Sequence, residues 1–274
     1  MKKVIITGAN GFVGQQIMRA LANSKSIILP FVRNGKESLV ANLPNVEKVI
    51  STPDLFSHNV SWWKKHCRDA DVIIHAAWFT EPNKYLNANE NFDCLIGSLN
   101  LAKGAAEAGV SKFVGIGTCL EYELNNEHLS IKTPLKPTSI YAATKSSLYL
   151  SLTQLLPIYS VNLAWCRLFY LFGENENEHR LCGYIRKRIK EGKIANLSSG
   201  TQIRDYLDVA EAGNKITEVA LNNFSGPINI CSGIPITVKE LAEKIAQEYD
   251  RKDLLRFGTR KVDFPDPPRI VGII

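Results

Sequence analysis

Apolar positions in the first 170 residues follow two alternating rhythms. Short runs rich in β-branched residues occur at 3–7 (KVIIT), 27–32 (IILPFV), 47–51, 71–76 (DVIIHA), 112–117 (KFVGIG) and 161–167 (VNLAWCR). Between them the period lengthens: Val13, Ile17 and Leu21 share one face of 13–24, and further helices are predicted over about 92–109 and 140–156. Continuously apolar strands separated by helices imply a parallel sheet covered on both faces. Right-handed crossovers then make it doubly wound, so the predicted fold class is α/β of the Rossmann type. Past residue 170 the pattern changes to amphipathic helices at 180–192 and 237–249, with short strands near 203–207 and 227–231. The predicted organisation is a dinucleotide-binding domain over 1–169, joined by strands and a helix within 203–233. A smaller C-terminal substrate-binding lobe is expected from 170–202 and 234–274, and the close on PPRIVGII reads either as a truncation or as an unusually short tail.

The first strand runs straight into Gly8, Gly11 and Gly14, spaced three apart in TGANGFVG before the first amphipathic stretch. A glycine-rich turn between strand and helix lets backbone N–H groups approach a pyrophosphate, with the helix N-terminus adding favourable charge. The usual fingerprint is G-x-G-x-x-G, and G-x-x-G-x-x-G is a variant of the same solution. Asn10, Phe12 and Val13 complete that candidate cradle. In NAD-binding folds an acid about 20 residues further on holds the adenosine ribose diol. Here the second strand ends on Arg33 in FVRNGKES. A cation at that point, helped by Lys36, suits the 2′-phosphate of NADP(H), which is the expected coenzyme, with NAD(H) as the second choice.

The remaining composition mostly excludes. The 274 residues carry a formal charge of +6 with basic residues scattered, so no nucleic-acid footprint stands out. No apolar run approaches the ~18 residues of a membrane span, and the N-terminus lacks a secretory pattern, so a cytoplasmic protein is expected. The six cysteines form no CxxC and are expected to be free thiols, and the five histidines form no HxH or HxxxH pair, so no metal site is expected. The N-x-S sequons at Asn59, Asn196 and Asn223 are then chance matches.

SIYAATKSS places Tyr141 and Lys145 four residues apart, on one helical face. A phenol with a pKa near ~10 is a poor acid–base at neutral pH unless its anion is stabilised, and an ammonium one turn away supplies that stabilisation. With the glycine turn in the same chain, the sequence resembles the extended short-chain dehydrogenase/reductases, in the nucleotide-sugar epimerase/dehydratase/reductase group. The resemblance covers nearly the whole chain, through TGANGFVG, DVIIHAAW, SLNLAKGAAEAG, GIGTCLEY, YAATK, GTQIRDYLDV and NICSGIPITVKELAEKIA. It implies Thr118, Tyr141 and Lys145 as catalytic residues, with Lys145 also reaching the nicotinamide ribose. It implies Asp54 and Leu55 at the adenine, and Ala76, Ala77 and Trp78 beside the pyrophosphate and ribose, with His75 a packed strand-end residue. Thr118, Tyr141, Tyr170 and Arg204 would meet the substrate, a nucleotide sugar. Tyr170 stands where many relatives have asparagine, and Asp263 where they have arginine, with Arg269 as a possible compensation. A homodimer is expected through the helices near 92–109 and 140–156, with Leu148, Leu152 and Leu155 either lining the seam or lying in the core.

The residues after Thr118 bear on the reaction. Sugar 4,6-dehydratases carry Asp-Glu there, whereas this chain has Cys119-Leu120, and Glu121 on a continuing strand would face away. A Cys119–His179 acid–base pair of the fucose-synthase type is out of register. The expectation is NADPH-dependent reduction of the C4 keto group of a nucleotide-linked 4-keto-6-deoxyhexose, in deoxysugar or polysaccharide precursor biosynthesis. GTCLEY and LLRFG also resemble segments of CDP-paratose and dTDP-fucose synthases. The alternatives are an NAD-dependent nucleotide-sugar epimerase or dehydratase and a non-catalytic NADP-binding regulatory protein.

Overall fold

The computed structural model describes residues 1–124, 128–260 and 267–274. The first part of the chain alternates β1 (Lys2–Thr7), α1 (Phe12–Ala22), β2 (Ser26–Arg33), β3 (Ile50–Thr52), α2 (Val60–His66), β4 (Val72–His75), α3 (Glu90–Glu107), β5 (Lys112–Thr118), α4 (Ile140–Ile158) and β6 (Asn162–Leu168). There follow β7 (Tyr170–Phe172), α5 (Leu181–Lys190), β8 (Ala195–Asn196), β9 (Ile203–Asp208), α6 (Val209–Leu221), β10 (Gly226–Ile230), β11 (Pro235–Thr237), α7 (Val238–Gln247), β12 (Leu255–Arg256) and β13 (Arg269–Ile270). The α/β expectation is met: a seven-stranded sheet runs β10-β6-β5-β4-β1-β2-β3, and every pairing in it is parallel.

The apolar runs are buried on both faces because helices cover both. Val4, Ile6, Val72, Ile74 and Val114 face Ile17, Leu21, Ala212 and Ile216 of α1 and α6. Ile5, Ile73, Phe113 and Trp165 face Trp63, Leu101, Leu148 and Leu152 of α2, α3 and α4. Leu148 and Leu152 are therefore core, and the exposed apolar side chains of α3 and α4 are Phe92, Ile96, Leu150 and Ile158. Strand order reverses between β1 and β4, and ligands of open α/β sheets bind in the crevice at such a switch point.

Beyond residue 170, β9 pairs with β7, β11 and β13 in a second small sheet. The strand near 203–207 was expected to return to the main sheet, and this differs: of the elements within 203–233, only β10 joins it, while α6 packs on its face. A separate apolar cluster of Cys182, Ile185, Leu241, Ile245 and Leu255 unites α5, α7 and β12. Asp205 of β9 pins the ends of this region together, accepting hydrogen bonds from Ser232 N, Gly233 N and Gly272 N at 2.8, 2.9 and 3.1 Å. Residue 263 lies outside the described residues. Arg269 is in β13, with a nitrogen 3.3 Å from His128 Nε2.

Candidate active site

The glycine turn closes by a hydrogen bond from Gly11 N to Gly8 O at 2.9 Å. Gly8 has φ of +69°, and a Cβ there would come within 2.7 Å of Ala77 N, at the end of the neighbouring β4. A Cβ on Gly14 would sit 2.0 Å from Gly8 O, so α1 can start this close to β1 only with glycine at that position. No side chain caps the α1 N-terminus and no acid occupies its first turn. Its N–H groups are left for an outside acceptor, which fits a dinucleotide pyrophosphate.

This turn forms one end of a cavity of about 720 Å³. Gly8, Asn10, Gly11, Phe12, Val13 and Gly14 line it together with Arg33, Asp54, Leu55, Ala76, Ala77 and Trp78. Further along, Thr118, Tyr141, Lys145 and Tyr170 complete the wall. Residues from six different loop and strand ends, spread over 160 positions, thus meet at the carboxyl edge of one sheet. Arg204 does not line the cavity. It is buried, with its guanidinium carbon 5.4 Å from the centre of the Tyr170 ring, which does. Glu37, an acid within FVRNGKES that the reading of that stretch passed over, is also absent from the wall. Its carboxylate is held by backbone N–H groups and Ser51. Arg33 is exposed at the cavity rim.

β5 ends at Thr118, and there the sequence reading needs correcting. The chain does not continue as a strand but turns into a 3-10 segment, Cys119–Glu121. Thr118 and Glu121 cap it reciprocally: Leu120 N donates to Thr118 Oγ1 at 3.3 Å and Thr118 N to Glu121 Oε1 at 2.8 Å. Glu121 does point away from the cavity, but because of this turn and not because of strand alternation. Its carboxylate is fully buried, accepts from Trp165 Nε1 at 3.1 Å and pairs with Arg167 Nε at 2.8 Å.

Ser139 caps α4 by accepting from Ala142 N, which places Tyr141 and Lys145 in its first two turns. Burial pushes the Tyr141 phenol upward, with Tyr85 and Glu121 adding to the effect, while a hydrogen bond with Thr118 opposes it. Its ring meets that of Tyr85 edge-on at 4.9 Å. Lys145 is buried, donates to Ile116 O at 2.6 Å and lies 3.8 Å from the centre of the Trp78 ring. Burial brings its ammonium down to about 7. His75 bridges Thr7 Oγ1 and Ser98 Oγ at 2.7 Å each, and its burial depresses the imidazole to about 3.

Cys119 is buried, with its thiol raised to about 12, whereas the His179 side chain is 66% exposed and does not line the cavity. All six cysteines are free and buried. Among the described residues no group of three His, Cys, Asp or Glu could hold a metal, and no helix is long and apolar enough to cross a membrane. The sequence reading missed Tyr85, Glu176, Arg180 and Tyr206, which also line the cavity. The signals were Glu176 and Arg180, charges before and at the start of the helix predicted over 180–192, and Tyr206, which lies within GTQIRDYLDV.

Comparison with known proteins agrees with this geometry. Residues 4–231 match the model of the NAD dependent epimerase/dehydratase family. A dTDP-6-deoxy-L-talose 4-dehydrogenase (NAD(+)) of Aggregatibacter actinomycetemcomitans is 24% identical, covering 91% of each chain. Among solved structures, UDP-N-acetylglucosamine 4-epimerase from Methanobrevibacter ruminantium M1, in complex with UDP-N-acetylmuramic acid, superposes with a TM-score of 0.87 at 24% identity, over all of this chain and 89% of the other. DesIV, a dTDP-glucose 4,6-dehydratase from Streptomyces venezuelae with NAD and TYD bound, gives 0.85 at 18% identity, over 99% and 88%.

Proposed function

The chain belongs to the NAD dependent epimerase/dehydratase family, and from that premise we propose that it reduces, with NADPH, the C4 keto group of a nucleotide-linked 4-keto-6-deoxyhexose. The observation that carries this reading is the environment of Thr118. The one carboxylate within three residues of it, Glu121, is committed to Arg167 and Trp165 and cannot move a proton for water elimination. The side chains that Thr118 and α4 bring together are a hydroxyl, a phenol and an ammonium, a set suited to carbonyl reduction, while the other carboxylates of the cavity, Glu90, Asp93 and Glu176, come from the start of α3 and the segment before α5. A 4-dehydrogenase of a 6-deoxysugar among its relatives supports the same chemistry.

The coenzyme, held by the glycine turn with Ala76 to Trp78 beside its pyrophosphate and ribose, would supply the hydride. Thr118 Oγ1 orients the C4 oxygen. The Tyr141 phenol, kept protonated by its burial, gives its proton to the alkoxide as negative charge appears there. Lys145, one turn further along α4, then faces the resulting phenolate, which regains a proton from water. Arg33 at the rim, with Lys36, would meet a 2′-phosphate. The nucleotide-sugar half would lie against Tyr170, Arg180 and Tyr206 of the same cavity, with Arg204 packed behind the Tyr170 ring and out of reach of the diphosphate. The protein would act in the cytoplasm as a homodimer formed through Phe92, Ile96 and Leu150.

The decisive assay supplies dTDP-, CDP- and GDP-linked 4-keto sugars with NADPH and follows absorbance loss together with product mass. Tyr141→Phe is expected to lose about 10²- to 10⁴-fold in turnover while still binding coenzyme. Undiminished turnover in that variant overturns the proposal. A second reading, an NAD-dependent epimerase or dehydratase, draws on the NAD named for the two similar proteins above. NAD retained through purification, with no net coenzyme turnover, would favour it.

A further inference from the structure

Lys145 is a buried cation without a carboxylate. The carboxylate whose charge reaches it, Glu121, is turned toward Arg167 and Trp165, and among the described residues no carboxylate forms an ion pair with Nζ. The groups that face it come from every element around it. They are Cys94 of α3, Glu121 after β5, His75 of β4, the Ile116 carbonyl of β5, and the Trp78 ring after β4, with Tyr141 one turn before it on its own helix. Cys94 is a neutral thiol, raised to about 11, and His75 a neutral imidazole at physiological pH. The Ile116 carbonyl takes one of the three ammonium protons, at 2.6 Å. The indole face, with Nζ 3.8 Å from the ring centre, is the other direct partner.

That indole is itself fixed. Trp78 is 8% exposed, and its Nε1 donates to Asn91 Oδ1 at 2.8 Å. Asn91 is fully buried on α3, and its amide donates to Tyr85 O at 2.6 Å and Ala88 O at 2.9 Å. All three of these amide contacts are used for holding, so the ring plane is set by α3 and by the segment that carries Tyr85 against Tyr141. A negative ring face in a site drained of water attracts a cation most strongly.

We propose that Trp78 is a positioning residue for Lys145: its ring, locked by Asn91, stands in for the missing carboxylate and holds the ammonium charged and aimed at the coenzyme-side wall of the cavity. The proposal rests on the reading of Lys145 as partner of Tyr141, but its contact is testable without coenzyme or substrate. In free protein carrying ¹³C-labelled lysine, the Lys145 signal is assigned by its loss in Lys145→Arg and titrated by NMR. Trp78→Met, which refills the space without a ring face, is expected to lower that titration by about one pH unit, the size of a desolvated cation–π contact. Trp78→Phe, which keeps a face, is expected to recover most of the shift.

Where substitution disturbs folding, biosynthetic replacement of tryptophan by mono- and then polyfluorinated analogues weakens the ring face with little change of shape, and the titration is expected to fall stepwise. In turnover assays the alkaline limb of kcat/KM moves with it. An unchanged Lys145 titration in Trp78→Met or across the fluorinated series overturns the proposal, as does equal behaviour of the Met and Phe variants. Failure of the underlying functional reading shows separately, as wild-type protein inactive on the keto-sugar panel while the Lys145 titration still responds to Trp78.

Discussion

Replacing Glu121 by glutamine tests the fold and the chemistry at once. Arg167 and Glu121 are 2% and 0% exposed, with Nε and Oε2 2.8 Å apart. In Glu121→Gln the remaining carbonyl oxygen can still accept from Thr118 N and Trp165 Nε1, as Oε1 does now at 2.8 and 3.1 Å. The new amide nitrogen, however, faces Arg167 Nε donor to donor, and the guanidinium loses its counter-ion. Breaking one partner of a buried pair costs about 3–5 kcal/mol. The rings of Tyr149 and Tyr122, 4.7 and 4.8 Å from the guanidinium carbon, offset part of that, so the lower end, about 3 kcal/mol, is expected. For a chain of this size that is a fall in Tm of about 6–12 °C, measured by thermal and urea unfolding followed by circular dichroism. The double variant E121Q/R167M, which removes both charges, is expected to be more stable than E121Q alone. Well below the transition, turnover should stay within about tenfold of wild type because Thr118 keeps its backbone anchor. A variant of nearly wild-type stability that has lost about 10²-fold or more in turnover would refute the reasoning. It would make Glu121 a proton-transfer group and revive the dehydratase reading.

Arg33→Ala should raise KM for NADPH about 10- to 100-fold, the loss of a charge-assisted contact, and leave NADH nearly unaffected; equal effects on both coenzymes would remove Arg33 from the 2′-phosphate. His75 is neutral and buried, with its folded value depressed to about 3 from 6.5. It therefore contributes stability that is present above about pH 6.5 and lost as pH falls toward 3. At about 1.4 kcal/mol per pH unit this amounts to about 2 kcal/mol at pH 5, and His75→Gln should show a correspondingly flatter decline in urea midpoints between pH 7.5 and 5. Phe92→Asp places a charge in the exposed apolar face of α3 and should halve the mass seen by light scattering without loss of fold; an unchanged mass would move the interface elsewhere.

Most of the fold was legible because both of its periodicities are local. The apolar runs announced all six strands from β1 to β6, and Val13, Ile17 and Leu21 announced α1. The short elements were not. α2 is seven residues long, too short for periodicity, and its sign was the cap, Asn59 Oδ1 accepting from Trp62 N. The turn after Thr118 had a sign as well: T-x-x-E is a capping box, and Thr118 and Glu121 make one. Reading that stretch as strand reached a right orientation for Glu121 by a wrong route. The seam leucines went the other way. On a helix apolar nearly all round, spacing alone does not tell the buried stripe from the exposed one, and Leu148 and Leu152 proved to be the former.

The proposed catalytic trio was visible as a motif, and Trp78 entered through the resemblance as a coenzyme neighbour, but the contacts that join Trp78, Tyr85 and Asn91 to it were not, since long-range packing makes them. That surrounding bears on the direction of the proposed reaction. A phenol raised by burial is a proton donor in the resting site, which suits a carbonyl gaining hydride. Running the same site toward oxidation requires the phenolate to form first, and the ammonium available to stabilise it is engaged with Ile116 O and Trp78. Reduction then needs Lys145 only after the proton has left Tyr141, while oxidation needs it before the alcohol can be deprotonated. Both directions nevertheless pass one transition state, in which the proton is leaving or reaching Tyr141 beside the Lys145 ammonium, so weakening that charge should lower kcat/KM for reduction and oxidation by the same factor, and a variant that lowered only one would refute this placing of Lys145.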